Sequence, residues 1–318
     1  MSSDVAIPPV FRQNVVGNWG DDGRRWLVEL PSRVAAIARD WELTVGDPYP
    51  LSFNWVAPAR RADGSAAVLK LGVPSSGHLA DEANALEAYA GQGAVRLLAR
   101  DDDRGVLLLE RATPGSPASD LVPHLPGRLG GTLRASDEAA TAAFVKVTRR
   151  LHRPPPLGCP LPELADRGGS FVAHLRAYPD DRVLPRRLVE RASRLFDELV
   201  ASATDRVVLH GDLHHDNILR ADREPWLAID PHGAVGDPGA EVGPLFCNPD
   251  PSRRDDNLVA LVPARVEQVA DGLGLPIDRV VAWGFVLCVL SEVWDVEGGA
   301  TTTGRALDVA LTLLPRLP

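Results

Sequence analysis

The chemistry in this sequence concentrates in one run, His210-Gly211-Asp212-Leu213-His214-His215-Asp216-Asn217, followed by Ile218-Leu219. Asp212 precedes Asn217 by five positions, and eighteen residues beyond Asp212 a strand-like stretch, Leu227-Ala228-Ile229, ends in Asp230-Pro231. Phosphoryl transfer asks for this set. One carboxylate orients the attacking hydroxyl and accepts its proton, while an amide oxygen and a second carboxylate hold magnesium on a nucleoside triphosphate. Hard oxygen ligands suit that ion. His-Gly-Asp alone also fits an ordinary polar turn; Asn217 and Asp230 at this spacing favour the catalytic reading. A rival lies in the density of His210, Asp212, His214, His215 and Asp216, loosely like a zinc hydrolase cluster. Such a site wants further ligands downstream. His232 is the only histidine there, and His78, His124, His152 and His174 lie upstream without paired spacing.

Three further elements belong with the first. Lys70 stands between Leu69 and Leu71 in an apolar run, where an ammonium can reach the α- and β-phosphates. Its expected partner is Glu82, about one turn into the next helix, because an opposite charge holds a lysine extended and charged. Glu87 is a weaker candidate. Lys70 also reads as a solvated edge residue, and Glu82 as a first-turn acid complementing a helix dipole. Leu107-Leu108-Leu109-Glu110-Arg111-Ala112 reads as a strand entering a linker. The backbone at Glu110 and Ala112 can meet an adenine edge there, although core packing explains the leucines equally well. On the acceptor side, Ser291-Glu292-Val293-Trp294-Asp295-Val296-Glu297 carries three carboxylates and no base. Glu292 and Asp295 share a helix face. Carboxylates pair with guanidinium groups and Trp294 can pack a cation, so Glu292, Trp294, Asp295 and Glu297 are candidates to hold a cationic substrate. The alternative is a solvated acidic helix end with Trp294 in the core.

The elements that must position these groups follow from periodicity. Residues 1 to 46 read as short helical pieces interrupted at Pro31, and 50 to 72 as two strands around Ala62-Asp63-Gly64-Ser65. A helix near 78 to 90 comes next, then strands near 94 to 99 and 105 to 110. The turn-rich stretch 111 to 117 looks like a linker between lobes. The chain is mainly helical thereafter, with Ser136 as an N-cap ahead of an acidic first turn, and short strands at 207 to 209 and 226 to 229. Val280 to Leu290 reads as a buried core helix, too short for a membrane span. Net charge is −9, which argues against nucleic acid as a partner and permits a cationic one. Three widely spaced cysteines, Cys159, Cys247 and Cys288, which form no CxxC pair and leave an odd thiol, and no visible secretory signal fit a reducing cytoplasm.

The runs VLHGDLHHDNIL and WLAIDP, with AVLKLG upstream, resemble the aminoglycoside phosphotransferase family, and within it the streptomycin 6-phosphotransferase and hydroxyurea phosphotransferase group. Residues 94–98, 107–111, 151–154 and 293–297 are similar to that group as well. The resemblance implies an α+β, protein-kinase-like bilobal fold. Residues 1–112 would be a nucleotide-binding lobe with a helical N-terminal extension, and 113–318 a helical lobe with the catalytic loop and acceptor site. It implies Asp212 as catalytic base, Asn217 and Asp230 as magnesium ligands, Lys70 with Glu82 positioning the phosphates, and ATP or another nucleoside triphosphate with Mg2+ as cofactors. The implied activity is O-phosphorylation of an aminoglycoside-type antibiotic, with streptomycin leading. The alternatives are a metabolic kinase of a sugar or amino alcohol, or a nucleotide-binding pseudokinase. Two departures stand out: Pro48 to Trp55 holds no GxGxxG loop, and His232 follows Asp230-Pro231 where many streptomycin kinases carry lysine.

Overall fold

A computed structural model describes residues 7–122, 131–180, 183–249 and 254–317. The first of these segments builds a five-stranded antiparallel sheet ordered β1-β2-β3-β5-β4, from β1 (Thr44–Val45), β2 (Trp55–Arg60), β3 (Ala66–Leu71), β4 (Leu97–Asp101) and β5 (Val106–Glu110). Two helices serve it, α1 (Pro9–Asp40) and α2 (His78–Tyr89). The period-two alternation of β3 divides its residues between two faces. Leu69 and Leu71 join Trp55, Ala57, Val106 and Leu108 under Leu27, Leu30 and Ile37 of α1. Lys70 therefore points the other way, toward α2 and the rest of the molecule. The expected turn forms between β2 and β3, where Gly64 sits at φ 83° and Arg61 N–H donates to Ser65 O at 3.0 Å.

The N-terminal helix departs from expectation. It runs through Pro31, and the break falls at Gly20 (φ 51°, ψ −123°). Positive φ is accessible to glycine at little steric cost. The two arms fold back on each other there: Phe11 and Trp26 meet edge to face at 6.1 Å. A Cβ on Gly23 would lie 2.5 Å from the Val15 carbonyl oxygen. Fifteen residues of straight helix would separate Phe11 and Trp26 by about 22 Å, so the element is a helical hairpin.

Strand β4 starts at Leu97, later than the sequence suggests, because the stretch before it has another partner. Val95 N–H donates to Ala228 O at 3.0 Å, and Ala228 N–H to Gly93 O at 2.7 Å. These bonds tie the sheet to the helical part.

That part comprises β6 (Pro114–Pro117), α3 (Gly131–Leu151), α4 (Gly169–Ala177), α5 (Arg186–Ala201), β7 (Val207–Leu209), β8 (Ile218–Ala221), β9 (Trp226–Ala228), β10 (Ala234–Gly236), α6 (Val242–Cys247), α7 (Asp256–Val259), α8 (Val262–Leu273), α9 (Ile277–Glu297) and α10 (Arg305–Leu313). Helix α9 is its axis. Val280 to Val286 and Cys288 to Leu290 are at most 2% exposed, as a helix that is apolar all round must be. Among the described residues, no helix is long and apolar enough to cross a membrane. Ser136 does not start α3; it lies in its interior. Asp137, expected in an exposed first turn, is buried and receives Arg265 Nη2 at 2.5 Å. Arg265 also donates to the carbonyls of Leu245 and Asn248, so this buried charge is met by one carboxylate and two carbonyls.

Candidate active site

Two small ladders hold the loop from His210 to Asn217. Antiparallel pairing of β7 with β10 sets Leu209 opposite Ala234, and His232 and Gly233 N–H both donate to His210 O. Antiparallel pairing of β8 with β9 sets Ile218 opposite Ala228, and Ile229 N–H donates to Asn217 O at 3.0 Å. This register places Asn217 and Asp230 at the same end of one hairpin, although thirteen positions separate them. Asp230 turns out of its strand at φ 60°, an unusual conformation for a residue other than glycine and one Asp tolerates better than most.

The loop is braced from below. His210 is fully buried; its Nε2 lies 2.9 Å from Ile229 O, and its Nδ1 accepts from Asp212 N–H at 3.3 Å. One ring nitrogen donates and the other accepts, so the ring is neutral, and burial holds its pKa down. Glu241, with no exposure, accepts from His210 N–H at 2.8 Å and Gly211 N–H at 2.9 Å. Burial pushes its carboxyl up, but His152 and His210 outweigh that and hold it below the usual range. Gly211 sits at φ 81°, and a Cβ there would lie 2.6 Å from Arg167 Nη2. The positive φ favours glycine, and any larger residue would also displace the Arg167 guanidinium.

Above this base the acidic groups converge. Lys70, 4% exposed, donates to Glu82 Oε2 at 2.6 Å and to Asp230 Oδ1 at 2.5 Å. Desolvation opposes its charge, but the two carboxylates raise its pKa above the ordinary lysine value. Desolvation also works on the carboxyls, and Lys70 overcomes it at Asp230, which falls to about 2. At Glu82 burial wins, and the carboxyl rises to about 7. Asp212 lies 3.7 Å from His214 Nε2 and 3.8 Å from His232 Nε2. Desolvation in the cleft raises its pKa, but His214 and the other rings bring it below the usual value, so it is ionised near neutrality. His214 moves the other way: burial lowers it, and Asp212, Asp216 and Asp230 raise it further. Asn217 Nδ2 donates to Asp212 O at 2.9 Å, which orients the amide and leaves its oxygen without a donor among the described residues. Asp212, Asn217, Asp230, Glu82, His214 and His232 line one cleft of about 480 Å³. Among the described residues, no three His, Cys, Asp or Glu side chains converge as metal ligands, so the dense histidines do not form a zinc cluster.

The remaining expected residues fare unequally. Glu110 is fully engaged: its N–H donates to Arg96 O at 2.8 Å, its carboxylate accepts from Arg96 N–H at 2.9 Å, and Arg223 holds that carboxylate through two bonds of 2.8 Å. Ala112 lies just past β5, and its N–H meets no acceptor among the described residues. Glu292 is fully buried and accepts from Gly304 N–H at 2.9 Å and Leu307 N–H at 2.8 Å. Its carboxylate caps α10 and is not available to a cation. Asp295 and Glu297 are exposed. Trp294, 41% exposed, is not in the core; its Nε1 donates to Ser170 Oγ at 3.0 Å. A cation does lie over its ring, but it is the chain's own Arg167, with Cζ 6.0 Å from the ring centre and Nη1 donating to Gly211 O at 3.3 Å. Glu241 and Arg167 escape sequence reasoning, as do Asn18 and Trp19 of α1, which also line the cleft. The acidic residue shortly after Asp237-Pro238-Gly239 was the one available hint of Glu241.

A sequence model of the family described as aminoglycoside/hydroxyurea antibiotic resistance kinase matches residues 51–299. The chain is 32% identical over 323 residues to a streptomycin 6-kinase of Streptomyces glaucescens, across 98% of this chain and 96% of that one. It is 35% identical to a hydroxyurea phosphotransferase of Kitasatospora aureofaciens, across 98% and 87% of the two chains. In structure it is similar to a choline/ethanolamine kinase family protein of Mesorhizobium loti, with a TM-score of 0.58 at 14% identity over 90% and 92% of the chains. The fold is therefore the protein-kinase-like α+β fold. The chain belongs to the aminoglycoside/hydroxyurea antibiotic resistance kinase family, a family of phosphotransferases; these relationships do not favour a general metabolic kinase or a pseudokinase.

Proposed function

We propose that this kinase transfers the γ-phosphoryl group of ATP to a hydroxyl of an aminoglycoside-type antibiotic, with streptomycin the leading acceptor. The observation that carries the reading is the convergence of Asp212, Asn217 and Asp230 on one cleft, with Lys70 donating to Asp230. Asp212, ionised and free to accept, takes the proton of the acceptor hydroxyl as its oxygen attacks the γ-phosphorus and the bond to the β-γ bridging oxygen breaks. Lys70, held extended by Glu82, exchanges Asp230 for the nucleotide phosphates. The Asn217 oxygen and the Asp230 carboxylate are hard, cleft-facing donors that fit magnesium. When bound, the ion neutralises charge on the phosphates. The Ala112 N–H is the backbone donor left for the adenine edge, because the Glu110 N–H is bonded to Arg96 O. On this reading, residues 1–112 serve the nucleotide and 113–318 the acceptor, in the cytoplasm where ATP is available. Trp294, Asp295 and Glu297 wall the acceptor side, with Glu292 fixing the helix end that carries them.

A second reading has its own observation. Arg167 occupies the face of Trp294 and reaches the catalytic loop, a placement that suits a small neutral acceptor such as hydroxyurea better than a dication. One experiment separates the two. Full-length protein is incubated with ATP and magnesium and with streptomycin, hydroxyurea or choline, and phosphorylated product is detected by mass spectrometry. Streptomycin phosphorylation that is lost with EDTA and with Asp212→Asn supports the first reading. Preference for hydroxyurea selects the second. ATP turnover with choline alone would overturn both.

A further inference from the structure

The N-terminal hairpin lies outside the residues matched by the family model, yet its turn reaches the transfer cleft. Asn18 and Trp19, immediately before the Gly20 break, line the same cavity as Asp212 and Asp230. Trp19 meets Phe53 edge to face at 6.5 Å and the His78 ring at 6.3 Å. Phe53 belongs to the loop before β2, the segment in the position where a glycine-rich loop would cover a nucleotide. That loop holds two prolines and no glycine between Pro48 and Asn54, so it lacks the backbone freedom to fold down on phosphates by itself. The hairpin ties it down at a second point: Asn14 Nδ2 donates to Ser52 O at 3.0 Å. The other arm is fixed to the turn ahead of α2, where Ser75 Oγ donates to Asp22 Oδ2 at 3.1 Å. The hairpin itself is seated on the sheet by Phe11, Val15, Trp26 and Leu27, all at most 2% exposed.

We infer that the turn of this hairpin is a nucleotide-positioning element: Trp19, through Phe53, holds the stretch from Pro48 to Asn54 over the triphosphate and does the work that a glycine-rich loop does elsewhere. Two aromatic edges and a histidine at the mouth also limit the entry of water to the γ-phosphorus, which a kinase must keep from its nucleotide. The inference rests on the cleft being the ATP site, as proposed above. Trp19 is a positioning residue here. It acts on the nucleotide through Phe53 and leaves the acceptor side untouched.

The test needs no acceptor for its first arm. ATP binding is followed by intrinsic fluorescence and by ATP KM in wild type, Trp19→Phe, Trp19→Ala and Asn14→Ala. An aromatic contact of this kind is worth a few-fold in affinity, so Trp19→Ala should weaken ATP binding by about 3- to 10-fold, with Trp19→Phe within about 2-fold of wild type. The ATP-induced fluorescence change should be smaller in Trp19→Phe although binding persists. Acceptor KM should stay near wild type in every variant, while ATP hydrolysed per phosphoryl transferred should rise in Trp19→Ala. Asn14→Ala, which leaves the packed core intact, should shift ATP affinity in the same direction and carries the test if Trp19→Ala does not fold. Wild-type ATP affinity in both Trp19→Ala and Asn14→Ala, or in Asn14→Ala alone should Trp19→Ala fail to fold, would overturn the inference. A wild-type protein that does not bind ATP at all would instead overturn the assignment of the cleft.

Discussion

Removing Glu241 should loosen the catalytic loop without touching any group that faces the cleft. Its carboxylate accepts from two consecutive backbone N–H groups, at His210 and Gly211, at zero exposure. In Glu241→Ala no other acceptor replaces it. Each buried donor left unsatisfied costs about 1–3 kcal/mol, so the loss is about 2–6 kcal/mol. At about 2–4 °C per kcal/mol for a chain of a few hundred residues, Tm should fall by roughly 5–20 °C. Glu241→Gln keeps one acceptor oxygen but turns an NH2 toward the second donor, so its loss should be about half as large. Catalysis should suffer in both, because Asp212 is the next residue along and a displacement of about 1 Å can cost on the order of 10² in rate. The sign with pH is fixed. Glu241 is held below its ordinary pKa, so its stabilisation is present above about pH 4.3 and fades as pH falls through its lower folded value. The gap in Tm between wild type and Glu241→Ala should therefore narrow in acid. Calorimetry across pH and kcat at saturating substrates check this. A Glu241→Ala protein with wild-type Tm and wild-type kcat at neutral pH refutes the reasoning.

Asp212→Asn keeps the side-chain shape and the backbone bonds to His210 and Asn217, so nucleotide affinity should hold while kcat falls by on the order of 10²- to 10⁴-fold; near-normal turnover in the folded variant would remove Asp212 from the base role. Glu82, pushed up to about 7 by burial against the pull of Lys70, loses its charge progressively as pH falls through that value. ATP KM should therefore improve as pH rises through about 7 in wild type and lose that limb in Glu82→Gln, and identical profiles would show that Lys70 does not depend on Glu82. Asp295→Asn should raise acceptor KM more than it lowers kcat if the acceptor is a guanidinium compound, leave ATP KM alone, and weaken the salt dependence of acceptor binding; an unchanged acceptor KM at low salt places the cation elsewhere.

How much of this was legible in the sequence depends on distance along the chain. Asn217 and Asp230 flank one hairpin and Asp212 lies in the loop just before it; a hairpin register is a local property, so spacing alone brought the three together. Lys70 was legible as a break in an apolar strand, because alternation forces it away from the face that Leu69 and Leu71 share with α1. Glu82 followed from one turn of helix. Glu241 acts about thirty residues from the loop it supports and carries no periodic signal, so its role appears only in three dimensions. Glu292 and Asp295 do share a face, but the sequence cannot say that Gly304 and Leu307 of a later element cover half of it. In α1 the strongest breaker by propensity, Pro31, was tolerated, while Gly20 made the turn; packing of Phe11 and Val15 against Trp26 and Gly23 overrides local preference there. Ser136 had the chemistry of a cap, but helix α3 extends beyond it and Asp137 is drawn inward by Arg265.

The hairpin also separates two boundaries that are easily confused, the one drawn by kinship and the one drawn by folding. A chain trimmed to residues 51–299 would keep every group in the proposed chemistry. It would also strip the cover from Trp55, Leu69, Leu71, Val106 and Leu108, all at most 3% exposed in the intact protein. A bare apolar slab of that kind, on one side of a sheet that the same cut deprives of β1, is a surface on which molecules stick to one another. The same cut would take away α10 and leave the buried Glu292 carboxylate with none of its donors. Such a fragment should accumulate in inclusion bodies, and its insolubility would say nothing about the catalytic residues it contains.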